Sequence, residues 1–238
     1  MFRGKKVSLA LPAYNEAENI AHAIDSFKKV GIIDEIIIVD NNSTDKTGEL
    51  AKKKNVKVVN EIKQGYGFAL RRGLKEATGY YMILSEPDGT FRASDSAKLL
   101  AYIEDYDMVA GTRTNPSFFT KDANMGYFLR FGNIVVAKII QFLYRTSPLT
   151  DCGCTFRVLK RPLVNKLLPL FTVGGQHFLV ELVVLTAVVG GSIYETPTHY
   201  KKRVGKSKIT GSLKVSILVG LRMLGVIFSR LIYKPKFN

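Results

Sequence analysis

Two carboxylates with one residue between them, Glu86 and Asp88, flank Pro87 directly after the apolar run Tyr80 to Leu84. On a strand-ending turn, an acid-x-acid pair can reach one hard cation together. Magnesium or manganese binds through few protein oxygens and keeps open positions for diphosphate oxygens. Such a cation neutralises charge on a departing nucleoside diphosphate. Asp40, after the run Ile36 to Val39, suits a ribose hydroxyl or a base edge. Glu16 and Asp45 stand after other strands, where an acid can also cap a helix. Other chemistries lack their residues. There is no Gly-x-x-x-x-Gly-Lys-Ser/Thr phosphate loop and no Gly-x-Ser-x-Gly elbow. Gly65-Tyr66-Gly67 lacks the third glycine of a dinucleotide fingerprint, which disfavours a nicotinamide dehydrogenase. His22, His177 and His199 are scattered and offer no metal pair; His177, beside Gln176, either lines the site or is a buried structural histidine.

The elements that must position these residues alternate along the first half. Strands are expected at Val7 to Leu11, Ile36 to Val39, Val56 to Val59, Tyr80 to Leu84 and Met108 to Ala110. Between them lie helical patterns: Ile20 to Val30, Thr44 to Lys54 opened by Ser43 or Thr44, Tyr66 to Ala77, and Ser94 to Tyr106. This alternation predicts an α/β fold with a mostly parallel sheet covered on both faces. In such sheets ligands bind at the carboxyl edge of the strands. Four strand ends there gather Pro12 to Glu16, Asp40 to Asp45, Ser85 to Thr90 and Gly111 to Arg113. The second half predicts helices over Asn124 to Tyr144, near Pro162 to Leu168, around Gln176 to Val189 and over Leu213 to Ile232, with a short strand at Ile193 to Pro197.

Size and charge bound the rest. The 238 residues, 46% hydrophobic, suit one domain with a sizeable core, or one plus a short appendage. The net charge of +15 is uneven. After Glu195 no acid remains, while Lys201, Lys202, Arg203, Lys206, Lys208, Lys214, Arg222, Arg230, Lys234 and Lys236 follow. Such a stretch seeks a polyanion, and its interleaving with apolar runs points to a membrane surface rather than nucleic acid. In the last helix Lys214, Arg222, Gly225 and Ser229 share one side, the pattern of an interface-lying amphipathic helix. No run reaches the ~18 apolar residues of a spanning helix. Cys152 and Cys154 are too few for a disulfide framework or a four-ligand zinc site, so reduced, buried thiols are expected. The run Met1 to Lys6 has no apolar signal-peptide core. The expected location is cytoplasmic, peripheral on the cytoplasmic membrane face.

Jointly, several motifs carry a resemblance over roughly residues 5–210. They are Leu11-Pro12-Ala13-Tyr14-Asn15-Glu16, Val39-Asp40-Asn41-Asn42-Ser43-Thr44-Asp45, Glu86-Pro87-Asp88-Gly89, Gly111-Thr112-Arg113, Asp151-Cys152-Gly153-Cys154-Thr155-Phe156-Arg157, Gln176 to Glu181, and Arg203-Val204-Gly205-Lys206-Ser207-Lys208. The chain resembles the family 2 glycosyltransferases of GT-A fold, and within them the dolichyl- or polyprenyl-phosphate sugar synthases. The resemblance implies a GT-A domain over 1–210 and a basic membrane-associating helix and tail over 211–238. It implies that Pro12, Tyr14, Glu16 and Asp40 hold the nucleoside of a GDP- or UDP-sugar. It places Glu86 and Asp88 on a divalent cation, Mg2+ or Mn2+. Asp88, Arg113 and Asp151 form the implied catalytic group, and Gln176 and Glu181 are further pocket residues. Arg130, Arg203 and Lys208 are implied to hold phosphates, including that of a polyprenyl or dolichyl phosphate acceptor. Two departures stand out. The family's usual first acid is Asp, where this chain has Glu86, and the usual serine after Arg130 is replaced by Phe131-Gly132-Asn133.

An acceptor phosphate is anionic near pH 7 and needs no side chain to remove a proton. The remaining tasks are alignment and stabilisation of charge on the leaving diphosphate. The alternative acceptor, a hydroxyl of a polysaccharide or glycolipid, needs a base, for which Asp151 or Glu181 is available. A non-catalytic membrane or nucleic-acid binder would explain the charge but not the acids at the strand ends.

Overall fold

The computed structural model describes residues 1–118, 127–203 and 213–231. Among the described residues, seven strands form one sheet in the order β3-β2-β1-β4-β6-β5-β7. The strands are β1 (Val7–Ala13), β2 (Glu35–Asp40), β3 (Lys57–Asn60), β4 (Tyr81–Leu84), β5 (Met108–Thr112), β6 (Arg157–Lys160) and β7 (Ile193–Pro197). The helices are α1 (Ile20–Lys28), α2 (Thr47–Lys52), α3 (Tyr66–Glu76), α4 (Ser96–Tyr102), α5 (Tyr127–Tyr144), α6 (Arg161–Leu167), α7 (Phe178–Val188) and α8 (Leu213–Leu231). The expected α/β alternation and the parallel pairing of β1 with β2 and β4 are present.

Successive strand residues point to opposite faces, and the sheet sorts them cleanly. Ala10, Ile37, Val39, Met82 and Leu84 pack with α3, α6 and α7. Leu9, Leu11, Ile36, Ile38, Tyr81 and Ile83 pack with α1, α2 and α4. On the first face α7 is buried from Phe178 through Thr186, because it lies between the sheet and outer helices. An interior place of this kind explains why its sequence is apolar on every side.

Three differences from the sequence reading matter. First, β1 runs two residues further, through Pro12 to Ala13. β1 pairs with β4 only as far as Ala10, and Ala13 O accepts from Asn41 on the β2 side. Alternation therefore turns the Pro12 nitrogen toward β4, past the end of that strand, where no partner needs an N–H. Second, the expected helix from Thr44 starts only at Thr47. Residues before it are held as a loop: Asn42 is left-handed at φ 61° and Asp45 Oδ1 accepts the Thr47 amide at 2.9 Å. Third, β6 was not expected. It is four residues long, bounded by Arg157 and Lys160, and runs antiparallel between β4 and β5. Six parallel strands thus share one carboxyl edge, and β6 enters from that same edge. Its reversal brings the segment Asp151 to Thr155 to the ends of β4 and β5.

α8 lies on α5 and α7 rather than apart from the domain. Ile227 is fully buried, and the Tyr144 hydroxyl donates to its carbonyl at 2.5 Å. Met223, Leu224 and Val226 also pack on the core, so this side of α8 faces the domain. The expected division between 210 and 211 lies outside the described residues. Arg230, near the end of α8, donates to the buried Glu181 carboxylate of α7 at 2.7 Å. Removing one partner of a buried pair leaves an uncompensated charge. Arg230→Met is therefore expected to destabilise the protein by roughly 3–5 kcal/mol in urea titrations. The double variant Arg230→Met/Glu181→Gln is expected to recover much of that loss.

Candidate active site

The carboxyl edge is assembled by loops that bind one another. After β1, Asn15 takes a left-handed conformation at φ 55°, which asparagine tolerates. Its Oδ1 accepts the Thr44 amide at 2.8 Å, and its own amide donates to Ser43 Oγ at 3.1 Å. The Glu16 amide donates to Thr47 Oγ1 at 2.8 Å. Asp40, at the end of β2, accepts the Ser43 amide at 3.0 Å. Buried Asn41 spans the floor, donating to the carbonyls of Glu61 and Lys63 and accepting the Gly65 amide. Pro12, half-buried Tyr14, Glu16 and Asp40 thus stand at or just beyond the ends of β1 and β2.

Glu86 and Asp88 follow β4 and differ in environment. Glu86 Oε1 accepts the Thr155 and Tyr66 hydroxyls, each at 2.6 Å. Burial pushes the Glu86 carboxyl up, but the Thr155 and Tyr66 hydroxyls, a hydrogen bond with Asp88 and the Arg113 charge together hold it below the usual carboxylate range. Asp88 is 1% exposed. Its Oδ1 accepts the Thr90 hydroxyl at 2.6 Å and the Thr90 amide at 3.0 Å. Its Oδ2 is shut from solvent without a hydrogen-bond donor, with Arg203 Nη1 at 3.2 Å as an ion contact. Burial first, and then the Glu86 charge, raise the Asp88 carboxyl to about 7, against the opposing pull of Thr90 and Arg203.

This environment fits a hard cation: an orphaned carboxylate oxygen, starved of positive charge, beside a second carboxylate. Among the described residues no three of His, Cys, Asp and Glu gather as a metal-binding group. Asp88 and Glu86 are the side chains here that would hold a cation. With Glu86 Oε1 committed to two hydroxyls, Asp88 is the more available of the pair.

Arg203 contacts these acids directly, and Arg113 acts on Glu86 through its charge. Arg203 donates to Glu16 Oε1 at 2.8 Å while facing Asp88, so it bridges the loop after β1 and the acid pair. Arg113, at the end of β5, grips Asp151 in two-pronged fashion, Nε to Oδ2 at 2.8 Å and Nη2 to Oδ1 at 3.0 Å. Arg130 of α5 donates to the Thr114 carbonyl, one residue beyond Arg113. Lys208 lies outside the described residues.

Two expected acids are put to other use. Asp151 is fully enclosed and also accepts the Arg113 and Gly153 amides. Burial raises it, but the Arg113 charge and hydrogen bonds hold it below its usual range. A carboxylate so saturated is a poor base, and its task is to aim Arg113. Glu181 is fully buried and binds the Thr172 amide and hydroxyl, the Val173 amide and Arg230. It fastens α7, the 172–173 segment and α8 together rather than lining the pocket. Gln176 is half-buried in the turn before α7. The carbonyl of neighbouring Gly174 accepts the Gly67 amide at 2.8 Å, which sets this turn against the start of α3.

The sequence reading missed Tyr66, Thr90 and Thr155 as the groups that hold the acids, and Asn41 as the floor. Hydroxyl residues next to recognised motifs were the available signal.

The geometry can be set beside known proteins. The model of the family described as glycosyl transferase family 2 matches residues 8–168. The chain belongs to glycosyl transferase family 2. It is therefore a glycosyltransferase, of GT-A-like fold. An uncharacterized glycosyltransferase of Mycobacterium tuberculosis is 31% identical over 227 residues, covering 94% of this chain and 99% of that protein. A dolichyl-phosphate hexose transferase of Haloferax volcanii is 26% identical over 205 residues, covering 85% of this chain and 86% of that one. Among solved structures, glucosyl-3-phosphoglycerate synthase from Mycobacterium tuberculosis in complex with Mn2+, uridine diphosphate and phosphoglyceric acid superposes with a TM-score of 0.76. The identity is 20%, covering 98% of this chain and 80% of that one, and the likeness is one of fold.

The state of Asp88 sets a pH dependence. Its carboxyl ionises near 7 when the site holds no cation, so a cation must displace a proton below that pH. Affinity for Mn2+ in the absence of nucleotide is expected to rise with pH up to about 7 and then level, by up to about tenfold per unit. Calorimetric titration checks this, and Asp88→Asn is expected to abolish both the binding and its pH dependence.

Proposed function

We propose that this transferase moves a sugar from a nucleotide-sugar donor, GDP- or UDP-linked, onto a polyprenyl or dolichyl phosphate at a membrane surface. One observation carries the choice of acceptor. Asp151 and Glu181, the carboxylates available as a base, are saturated by hydrogen bonds and ion pairs. Neither of these two is free to serve as base for a hydroxyl acceptor, whereas a phosphate acceptor needs none. The phosphate oxygen forms its bond to the anomeric carbon as the bond from that carbon to the diphosphate breaks, with no proton transferred. The name of the Haloferax volcanii relative, at 26% identity, supports a lipid phosphate. The Mn2+ and uridine diphosphate in the neighbouring structure support a divalent cation and a UDP-sugar.

A divalent cation, Mg2+ or Mn2+, held by Asp88 with Glu86 beside it, supplies positive charge for the departing diphosphate. Pro12, Tyr14, Glu16 and Asp40 seat the nucleoside. Arg113 and Arg130 present cations toward the acceptor phosphate. Arg203 stands between donor and acceptor, where two anions must approach each other. Arg203→Ala is expected to lower transfer by about 10²- to 10³-fold. Because it removes a cation that competes at Asp88, it is also expected to tighten Mn2+ binding without nucleotide. Transfer of radiolabelled sugar from each donor into an organic-extractable, mild-acid-labile product tests the reaction. If no polyprenyl phosphate accepts sugar while a polysaccharide or glycolipid does, the hydroxyl-acceptor reading replaces this one.

The surface supports work at a bilayer. α5 and α8, which pack together, leave Phe131 67%, Phe142 83%, Leu221 61% and Phe228 53% exposed. No helix among the described residues is long and apolar enough to cross a membrane. Peripheral docking on the cytoplasmic face through these side chains is the proposed attachment. Each one buried in lipid contributes up to about 1.5–3 kcal/mol, and nearby cations add roughly 1 kcal/mol each on an anionic leaflet. Leu221→Asp/Phe228→Asp leaves the inward residues intact and is expected to abolish flotation with anionic liposomes. Unchanged flotation would place the attachment elsewhere.

A further inference from the structure

Beyond β7, residues 198–203 cross the carboxyl edge as a strap that carries Arg203. Its backbone is fixed rung by rung. The Thr198 amide donates to the Thr112 carbonyl at 3.2 Å, Tyr200 to Phe118 at 3.0 Å and Lys201 to Thr90 at 2.8 Å. The last rung joins the strap to the residue whose amide and hydroxyl bind Asp88. One side-chain cluster ties it to a helix. Asp95, at the start of α4, is 2% exposed and has no part in the chemistry above. Its Oδ2 accepts the His199 amide at 2.7 Å and lies 3.0 Å from His199 Nδ1. Lys98 reaches Asp95 Oδ1 at 2.9 Å, and the Phe118 ring packs edge-on to the imidazole at 5.1 Å.

We propose that Asp95 and His199 form a clasp that positions Arg203 over Glu16 and Asp88, making His199 a positioning residue for sugar transfer. A buried carboxylate bonded to both the amide and the ring of one residue fixes that residue against two motions, sliding and rotation. Arg203 follows four residues later and meets two acids from different loops. Such a bridge requires the strap to be registered against β4 and β1 at once. The rungs set the strap's path along Thr90 and Thr112, and the clasp anchors it to α4, which packs against β5. Without the clasp, the described strap before Arg203 keeps its backbone rungs but loses its side-chain tie to α4. The inference rests on the role assigned above to Arg203, while its structural half does not depend on the acceptor.

The test uses the full chain. In His199→Ala, hydrogen exchange of the 198–203 amides is expected to quicken tenfold or more without ligand, with exchange in β1 and β4 unchanged. The turnover number is expected to fall about 10- to 100-fold, as for lost supporting contacts around a site. His199→Asn places an amide nitrogen near the position of Nδ1 and is expected to restore most of both. The deciding measurement is a double-mutant cycle: in an Arg203→Ala background, His199→Ala is expected to cost nothing further. Additive losses, an unchanged strap, or failure of His199→Asn to rescue would each overturn the clasp. If the strap loosens in His199→Ala but the native enzyme transfers sugar to no polyprenyl phosphate, the clasp stands and the acceptor assignment fails. The cycle is then read on the native acceptor class or on donor hydrolysis.

Discussion

Burying two like-charged carboxylates at the end of one strand is the constraint around which this protein is organised. The site meets it in two ways. Glu86 is stabilised by hydroxyl hydrogens from Tyr66 and Thr155, contributed by α3 and by the segment before β6. Asp88 is given a smaller share: one oxygen is bonded by Thr90, the other has no hydrogen-bond donor and only the ion contact with Arg203 at 3.2 Å. The imbalance keeps a demand for positive charge at one oxygen, at the place where a diphosphate needs the same thing. Completing Asp88 with further hydrogen bonds would make a more stable protein and a poorer cation site.

The same economy of charge appears in the arginines. Arg113 is aimed by an enclosed carboxylate, Asp151, which receives both prongs of the guanidinium and two backbone amides. Arg203 is aimed through the strap. Both cations are fixed before any ligand arrives, so little reordering accompanies the approach of an anion. Glu181 shows that an acid in a recognised motif need not serve the reaction. Its neighbours Thr172, Val173 and Arg230 make it a fastening between helices.

Much of the fold was legible because buried parallel strands write themselves as β-branched runs, as in Ile36-Ile37-Ile38-Val39, and because Ile20, Ala23, Ile24 and Phe27 keep helical period. β6 was illegible for an opposite reason. Arg157 is wholly buried in it, donating to the carbonyls of Cys152 and Cys154, and a charged residue gives no hydrophobic signal. In the site, Glu86, Asp88, Asp40 and Arg113 were visible because acids and arginine at strand ends are unusual. Tyr66, Thr155 and Asn41 were not, since hydroxyl and amide residues are common in loops and their partners lie 20 or more positions away. His199 was visible only as an unpaired histidine, because its partner Asp95 precedes it by 104 residues.

The reversed strand also bears on how the molecule comes together in time. β5 pairs only with β6 and β7, both of which follow it in the chain. A nascent chain that has released β1 to β5 holds a four-stranded sheet with β4 at a bare edge and β5 with no neighbour. The sheet closes only when residues 157–160 slot between them, nearly fifty positions after β5 ends. Contacts of that separation slow folding and leave strand edges open to other chains meanwhile. The basic, apolar α8 arrives later still and covers α5 and α7. Commitment to the native sheet is therefore a late event, and it coincides with delivery of Thr155 and Asp151 to the catalytic edge.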